Sequence, residues 1–240
     1  MSAALKKILF PLLPSGILKL FRGKHYVRKF NELTGQEEPE MAIIKELVKP
    51  GDLVIDVGAN FGTYTKFLAE LVGKTGEVHA FEPIPEVKGY LEDNLEQAGI
   101  ENVKVYSLAL SNVEGTSNFK IPKFEHSGDN FYEAHLTSLD GDITVNTEKL
   151  DNFKFEKGVN FIKCDVEGAE LLVLEGALEL LKVDRPILML EINDSLKSKK
   201  AEELISFLKN LDYQLKYLGD GELSNSESRF QGVNYFFVPQ

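Results

Sequence analysis

The sequence predicts an α/β protein built on a doubly wound, mostly parallel sheet of seven strands with an antiparallel last strand. Three observations indicate this fold. Short apolar runs alternate with helical patterns from about residue 41, no internal repeat interrupts them, and 43% of the 240 residues are hydrophobic. This length suffices for one large domain with a full core. We therefore expect a basic and apolar N-terminal extension at 1–40 and a single domain at 41–240.

Periodicity and chain breakers define each predicted element. A helix is expected at Thr63–Val72 because its apolar residues share one face, and Gly99 ends a second helix at Pro85–Ala98. Two later helices are expected at Ala169–Leu181, which is strongly apolar, and at Ala201–Leu211, which opens with acids. The predicted strands are, in order, Val54–Val57, Glu77–Phe81, Val103–Ala109, Asn160–Cys164, Pro186–Ile192, Leu215–Leu218 and Asn234–Val238. The last two are expected to pair antiparallel.

Residues 111–160 are less regular than the rest of the domain and hold several short β-like pieces. An insertion of this kind in an α/β domain often helps to form the substrate site. His126 and His135 lie within it, and each is a candidate for assisting a proton transfer there.

Charge is unevenly distributed along the chain. The net charge is −11, but residues 1–30 hold seven cations and no acid, so the remainder carries 20 basic and 38 acidic side chains, a balance of −18. An acidic body repels phosphate backbones, which disfavours a nucleic acid as partner. Residues 5–30 mix their cations with Leu, Ile and Phe. They predict either a segment that lies on a membrane surface or a helical extension that packs on the domain or mediates homo-oligomer contact.

Cysteine usage and hydropathy indicate the compartment. Cys164 is the single cysteine, so no disulfide can form within the chain. No run of 18 apolar residues is present to span a membrane. We therefore expect a reduced, cytoplasmic protein.

Residues 54–65 contain a loop of the kind that binds a cofactor. Gly58 and Gly62 lie between a predicted strand and a predicted helix, separated by three residues. Glycine lets the backbone turn sharply, and the helix start presents free N–H groups to a carboxylate or phosphate. A dinucleotide site would show G-x-G-x-x-G instead. The spacing therefore favours the methionine end of S-adenosylmethionine (SAM).

Five further residues complete the predicted cofactor site. Asp56 is expected to face the ammonium of SAM, directly or through water, and Asn60 and Thr63 to cap the helix or contact the carboxylate. Glu82 follows the second strand and can accept hydrogen bonds from both ribose hydroxyls. Ala109, at the end of the third predicted strand, is also expected to contact the cofactor. A nicotinamide-dependent oxidoreductase and a non-catalytic SAM-binding protein are the alternative functions on this architecture.

Three carboxylates are expected beside the cofactor loop. Asp165 and Glu167 follow the fourth predicted strand, and Glu191 lies at the end of the fifth. Ligands of doubly wound sheets bind at this edge. In one interpretation a carboxylate, alone or with His135 or His126, removes the proton of an acceptor hydroxyl. In the other, the three carboxylates hold a divalent cation such as Mg²⁺.

At these motifs the sequence resembles the FkbM family of methyltransferases. The resemblance covers about residues 41–195 and is carried by DVGANFG at 56–62, FEP at 81–83, KCDVEGAE at 163–170, EGA at 175–177, the strand ending at Glu191, and Leu150-Asp151 before the third segment. It implies the Rossmann-like sheet of class I SAM-dependent methyltransferases, with its reversed last strand. It also implies O-methylation of a sugar, glycan or small natural product. Cys164 stands where the family usually has an aliphatic residue.

Overall fold

The computed structural model describes residues 23, 26–124, 128–137, 140–227, 230 and 232–240. Residues 5–22, 24 and 25 of the predicted N-terminal segment, and His126, lie outside these ranges. Within them, no helix combines the length and the apolar character needed to cross a bilayer.

The elements follow the predicted alternation of strands and helices. The strands are β1 (Leu53–Val57), β2 (Glu77–Phe81), β3 (Val103–Tyr106), β4 (Ala109–Leu110), β5 (Gly115–Lys120), β6 (Lys123–Phe124), β7 (Gly128–Asp129), β8 (His135–Thr137), β9 (Ile143–Glu148), β10 (Val159–Cys164), β11 (Ile187–Glu191), β12 (Tyr213–Gly219), β13 (Glu222–Ser224) and β14 (Asn234–Pro239). The helices are α1 (26–32), α2 (Met41–Leu47), α3 (Thr63–Val72), α4 (Pro85–Ala98), α5 (Glu170–Glu175), α6 (Leu178–Val183) and α7 (Lys199–Lys209).

The main sheet has the strand order β13-β12-β14-β11-β10-β1-β2-β3. Strands β3, β2, β1, β10 and β11 are parallel neighbours, whereas β14 is antiparallel to both β11 and β12. The predicted doubly wound sheet with an antiparallel last strand is therefore confirmed. The short strand β13, which pairs with β12, adds an eighth strand to the seven predicted.

The central strands are buried on both faces, which is why they appear in the sequence as apolar runs. Successive side chains of β1 alternate between two cores. Ile55 packs with residues of α5, α6 and α7 on one face. Val54 packs with α2 and α3 on the other. Asp56 follows the alternation onto the face of α3, a placement that determines its partners in the site.

The region predicted as irregular forms a second, four-stranded sheet of order β4-β9-β5-β8. The predicted third strand, Val103–Ala109, is correspondingly too long. It ends at Tyr106, because Ala109 and Leu110 pair in parallel with β9 instead of continuing beside β2. The second sheet thus begins directly beyond the carboxyl end of β3.

The helix predicted at Ala169–Leu181 is two helices, α5 and α6, with a break at Gly176. A Cβ atom on Gly176 would lie 2.0 Å from the carbonyl oxygen of Ser111, so the backbone here packs directly on the segment after β4. The Asp151 carboxylate accepts hydrogen bonds of 3.0 and 2.9 Å from two N–H groups in the first turn of α6. These contacts stabilise a new helix start where the sequence pattern predicts continuation.

Candidate functional site

A cavity of about 620 Å³, counted out to its open mouth, lies at the carboxyl ends of β1, β2 and β10. The second sheet closes one side of it. Polar groups from the main-sheet loops line it at Asn60, Glu82, Asp165 and Glu167, and the second sheet with its adjoining turns contributes Phe119, Phe131, Ala134 and Leu136. Ala109 also lines the cavity, although it belongs to β4 rather than to β3. The cavity therefore combines a polar side with an apolar wall.

The loop between β1 and α3, residues 58–62, is held in an unusual backbone conformation. Gly58, Asn60 and Gly62 have φ values of 75°, 49° and 96°, in the left-handed region that favours glycine. A Cβ atom on Gly58 would lie 1.9 Å from the carbonyl oxygen of Asp165, so only glycine permits the contact between the β1 and β10 loops.

The predicted capping of α3 is corrected by the structure. Its N-cap residue is Gly62, which has no side chain to cap the helix. Asn60 Oδ1 instead accepts a hydrogen bond of 2.9 Å from the N–H of Phe61. Among the described residues, neither Asn60 nor Thr63 caps α3, so the N–H groups of its first turn remain available to a ligand carboxylate.

Glu82 lies at the end of β2, where it faces the cavity and is 5% exposed. Its carboxylate accepts hydrogen bonds from the N–H of Ile84 at 2.8 Å and of Asn60 at 3.0 Å. Burial raises the pKa of Glu82 to about 7, against the lowering effect of these two hydrogen bonds. The side chain is fixed in orientation, and each oxygen still has a lone pair for a further donor.

Asp56 is fully buried beneath the cofactor loop. Its Oδ2 accepts a hydrogen bond of 2.6 Å from Thr65 Oγ1, and its Oδ1 lies 3.4 Å from Lys163 Nζ. The carboxylate is not part of the described cavity lining. The alternation along β1 directs the side chain toward α3, and the contact of Asp56 with the ammonium of SAM, directly or through water, stays a prediction.

Lys163 is not among the site residues predicted from the sequence, yet it lies between the cofactor loop and the carboxylates. Its Nζ donates to the carbonyl oxygen of Gly58 at 2.9 Å and lies 3.5 Å from Asp165 Oδ2, while the side chain is 4% exposed. Burial lowers the pKa of Lys163, but the carboxylates of Asp165 and Asp56 outweigh it and raise the pKa above its ordinary value. The cation therefore joins the β1 and β10 loops. Its only signal in the sequence is its position in the segment 163–170.

Asp165, Glu167 and Glu191 converge as predicted. One carboxylate oxygen from each lies within 4.8 Å of the others, and all three side chains are half-buried. Asn193 Nδ2 donates to Glu191 Oε1 at 2.9 Å and to Glu167 Oε2 at 3.5 Å. Glu167 has a φ of 51°, and the turn that holds it is closed by Glu170, which accepts a 2.9 Å hydrogen bond from the N–H of Gly168.

The convergence of these acids alters their protonation. Burial raises the pKa of Glu191 to about 7, with a further increase from the charge of Asp165 and an opposing effect of the Asn193 hydrogen bond. Burial and the charges of Asp165 and Glu170 likewise raise the pKa of Glu167. Glu191 is thus a carboxylate that can take up a proton near neutral pH.

His135 lies in β8, and its Nδ1 is 2.9 Å from the carbonyl oxygen of Glu133. Burial raises the pKa of Glu167, and the charges of Asp165, Glu170 and Glu133 raise it further. His135 has a smaller, opposing effect on this pKa. His135 therefore lies close enough to Glu167 to affect the pKa of that carboxylate.

The chain is similar to known methyltransferases. The family described as "Methyltransferase FkbM domain" matches residues 56–215. Protein-L-isoaspartate O-methyltransferase of Aeropyrum pernix is 47% identical over 55 residues, which cover 23% of this chain and 21% of that protein. Methyltransferase 1 of Beauveria bassiana is 28% identical over 143 residues, covering 51% of this chain and 57% of that protein. The chain thus spans from about a fifth to somewhat over half the length of these curated relatives.

One solved structure extends the likeness to the fold. The crystal structure of Methyltransferase FkbM from Methylobacillus flagellatus has a TM-score of 0.51 and 16% sequence identity, covering 90% of this chain and 59% of that one. At this identity the match concerns the architecture of the main sheet and its helices.

Proposed function

The chain belongs to the methyltransferase FkbM domain family, and from this premise we propose that it transfers the methyl group of SAM to a hydroxyl group of a sugar, a glycan or a small natural product. Its Rossmann-like sheet is that of the class I SAM-dependent methyltransferases. One observation carries the proposal: a single cavity brings together the glycine loop, the Glu82 carboxylate and two members of the carboxylate cluster.

The residues around the cavity fit SAM. Glu82 offers a fixed carboxylate to the ribose diol, and the N–H groups at the start of α3 offer donors to the methionine carboxylate. Gly58 and Gly62 allow the loop to turn tightly beside the ligand, with Asn60 and Thr63 next to it. Asp56 acts from beneath the loop, through water. Ala109 contributes to the wall against the adenine. When bound, SAM supplies a methyl group on a sulfonium, which is already a strong methyl donor.

The carboxylate cluster supplies proton removal. A base in a methyl transfer to a hydroxyl must be unprotonated at working pH and basic enough to accept the proton. Glu191 meets both conditions, because burial raises its pKa to about 7. Asp165 and Glu167 orient the acceptor hydroxyl, and His135 is the second candidate for taking the proton. A positioned base contributes about 10²–10⁴-fold to such a reaction.

Mg²⁺ held by Asp165, Glu167 and Glu191 is the alternative, since carboxylate oxygens suit a hard cation. Two observations favour direct base catalysis. Lys163 Nζ already lies 3.5 Å from Asp165 Oδ2, and the Asn193 amide donates to the two glutamates. Full methyl-transfer activity after exhaustive chelation would exclude the cation. Loss of activity that only Mg²⁺ restores would exclude the direct mechanism.

Charge and the cavity wall support the proposed class of acceptor. The balance of −18 outside residues 1–30 disfavours a nucleic acid. The wall formed by Phe119, Phe131 and Leu136 suits an apolar or planar face beside the reacting hydroxyl. Metabolite extracts of cells lacking the protein should contain a species lighter by one methylene unit. Transfer of label from methyl-labelled SAM to that species would identify the acceptor.

Calorimetry tests the cofactor assignment directly. SAM and its demethylated product, S-adenosylhomocysteine, should release heat on binding, and NAD should not. Heat with NAD alone would favour a nicotinamide-dependent oxidoreductase and contradict the proposal. Binding of SAM without label transfer to any cell extract would favour a non-catalytic SAM-binding protein.

A further inference from the structure

Helix α1 precedes the family-matched residues 56–215 and packs on the cofactor loop. Phe30 in α1 is 3% exposed and belongs to a buried cluster with Ala59 of the loop and Leu91 of α4. The stretch predicted as an extension of the domain therefore forms, in its described part, one wall of the structure around the loop.

Tyr26 provides a second contact. Its ring stacks on that of Phe61 in the loop, with centroids 3.5 Å apart and an interplanar angle of 12°, and tilts against Tyr90 at 5.6 Å. Phe61 directly follows Asn60, which lines the cavity. Contact between the two rings therefore links α1 to the loop beside the cavity.

Gly62 also packs against this helix. A Cβ atom on Gly62 would lie 2.5 Å from Leu91 Cδ1 and 2.9 Å from Phe30 Cε2, so the loop backbone rests against both side chains. Three of the five loop residues, Gly58, Asn60 and Gly62, have left-handed φ values. Glycine adopts this region freely, whereas Asn60 keeps its left-handed φ only when surrounding contacts hold it in place.

Lys66 ties the end of α1 to the first helix after the loop. From the start of α3, Lys66 Nζ donates to the carbonyl oxygens of Phe30 at 3.3 Å and Leu33 at 3.0 Å. The same ammonium lies 5.7 Å from the centre of the Phe30 ring. The loop thus lies between α1 and α3, which are joined by the hydrogen bonds of Lys66.

We propose that α1 is part of the cofactor site, with Tyr26 and Phe30 as positioning residues that hold residues 58–62 in the conformation that binds SAM. The identity of the ligand rests on the proposed function. Neither side chain belongs to the described cavity lining, so both act through Phe61 and Gly62.

Substitutions at Tyr26 test the proposal by calorimetric titration of the full chain with SAM. Tyr26→Ala should raise the Kd at least tenfold, and Tyr26→Phe, which keeps the ring, should stay within threefold of the unmodified protein. Tyr217→Ala is the matched control. Tyr217 lies on β12, is half-buried, and has the rings of Phe230 and Tyr235 at 5.7 and 6.0 Å. Its Kd should change less than threefold. An equal increase in both alanine variants, or none in Tyr26→Ala, would overturn the proposal.

Hydrogen exchange supplies a readout that needs no ligand. The amides of residues 58–65 should exchange at least tenfold faster in Tyr26→Ala than in Tyr217→Ala, and unchanged exchange would contradict the proposal. Should Tyr26→Ala not fold, Phe30→Leu, which keeps an apolar side chain but removes the ring, is measured in the same two assays. Failure of the unmodified protein to bind SAM would contradict the proposed function, whereas the exchange rates judge the role of α1 by themselves.

Discussion

Replacing Glu82 by Gln tests the cofactor site at its most constrained side chain. The substitution keeps the size of the side chain but replaces one carboxylate oxygen by an NH₂ group. Both oxygens of Glu82 accept backbone hydrogen bonds, from Ile84 and Asn60, so the amide must place its NH₂ against one of these N–H donors. The ribose diol then faces one acceptor and one donor instead of two acceptors.

The expected loss of affinity follows from one charge-assisted hydrogen bond. Such a bond contributes about 1.5–3 kcal/mol, and each 1.4 kcal/mol is about tenfold in Kd, so Glu82→Gln should weaken SAM binding about 10- to 150-fold. The pKa of Glu82, raised by burial to about 7, adds a second expectation. The diol binds the ionised carboxylate, so affinity should fall as the pH drops through 7. At pH 6 only about a tenth of Glu82 is ionised, which weakens binding about tenfold.

Isothermal calorimetry between pH 6 and pH 8 measures both effects. Glu77→Gln is the matched control, because Glu77 begins the same strand and bonds to Lys104 and His79, away from the cavity. It should bind SAM within threefold of the unmodified protein and keep the pH dependence. Glu82→Gln should lose that dependence. A Kd for Glu82→Gln within threefold of the unmodified value at pH 8 would refute the assignment of the ribose to Glu82.

Three further substitutions test the turn, the base and the helix break. Gly58→Ala should destabilise the protein by about 2 kcal/mol more than Gly99→Ala in urea unfolding. Both glycines have a positive φ, but of the two only Gly58 lies against another backbone atom. Equal losses of stability would contradict this close approach. Glu191→Gln should lower turnover about 10²–10⁴-fold and leave the SAM Kd within threefold; unchanged turnover would remove Glu191 as the base. Asp151→Ala should lower the free energy of unfolding in urea by about 0.5–2 kcal/mol, as should removal of the Ser198 side chain that caps α7. An unchanged free energy of unfolding would mean that Asp151 does not cap α6.

The order of strands and helices was predictable because it depends on local patterns. A few neighbouring residues suffice to identify the apolar run of β1, the one-sided apolar face of α3 and the end of α4 at Gly99. The convergence of Asp165, Glu167 and Glu191 was predictable for a related reason. The carboxyl ends of parallel strands meet at one edge of a sheet, so residues that follow neighbouring strands come together there.

Other features depend on contacts between distant parts of the chain. Gly176 breaks a helix because it meets the backbone of Ser111, and Ala109 leaves the main sheet because it pairs with β9. Asp56 is directed away from the cavity because its face of β1 packs on α3, where Thr65 donates to it. A glycine inside a helical pattern only weakens the helix, and the alternation along β1 does not say which helix covers each face, so these outcomes depend on the distant partners.

The amino-acid sequence by itself determined the α/β class, the order of the elements and the chemical groups at the sheet edge, because hydrophobic period, chain breakers and strand ends are local properties. Tertiary structure alone decided that Lys163 bridges the two loops and that Tyr26 stacks on Phe61. Those pairs form only when the folded core brings separate segments within a few ångströms, and their energies depend on the burial that this packing creates.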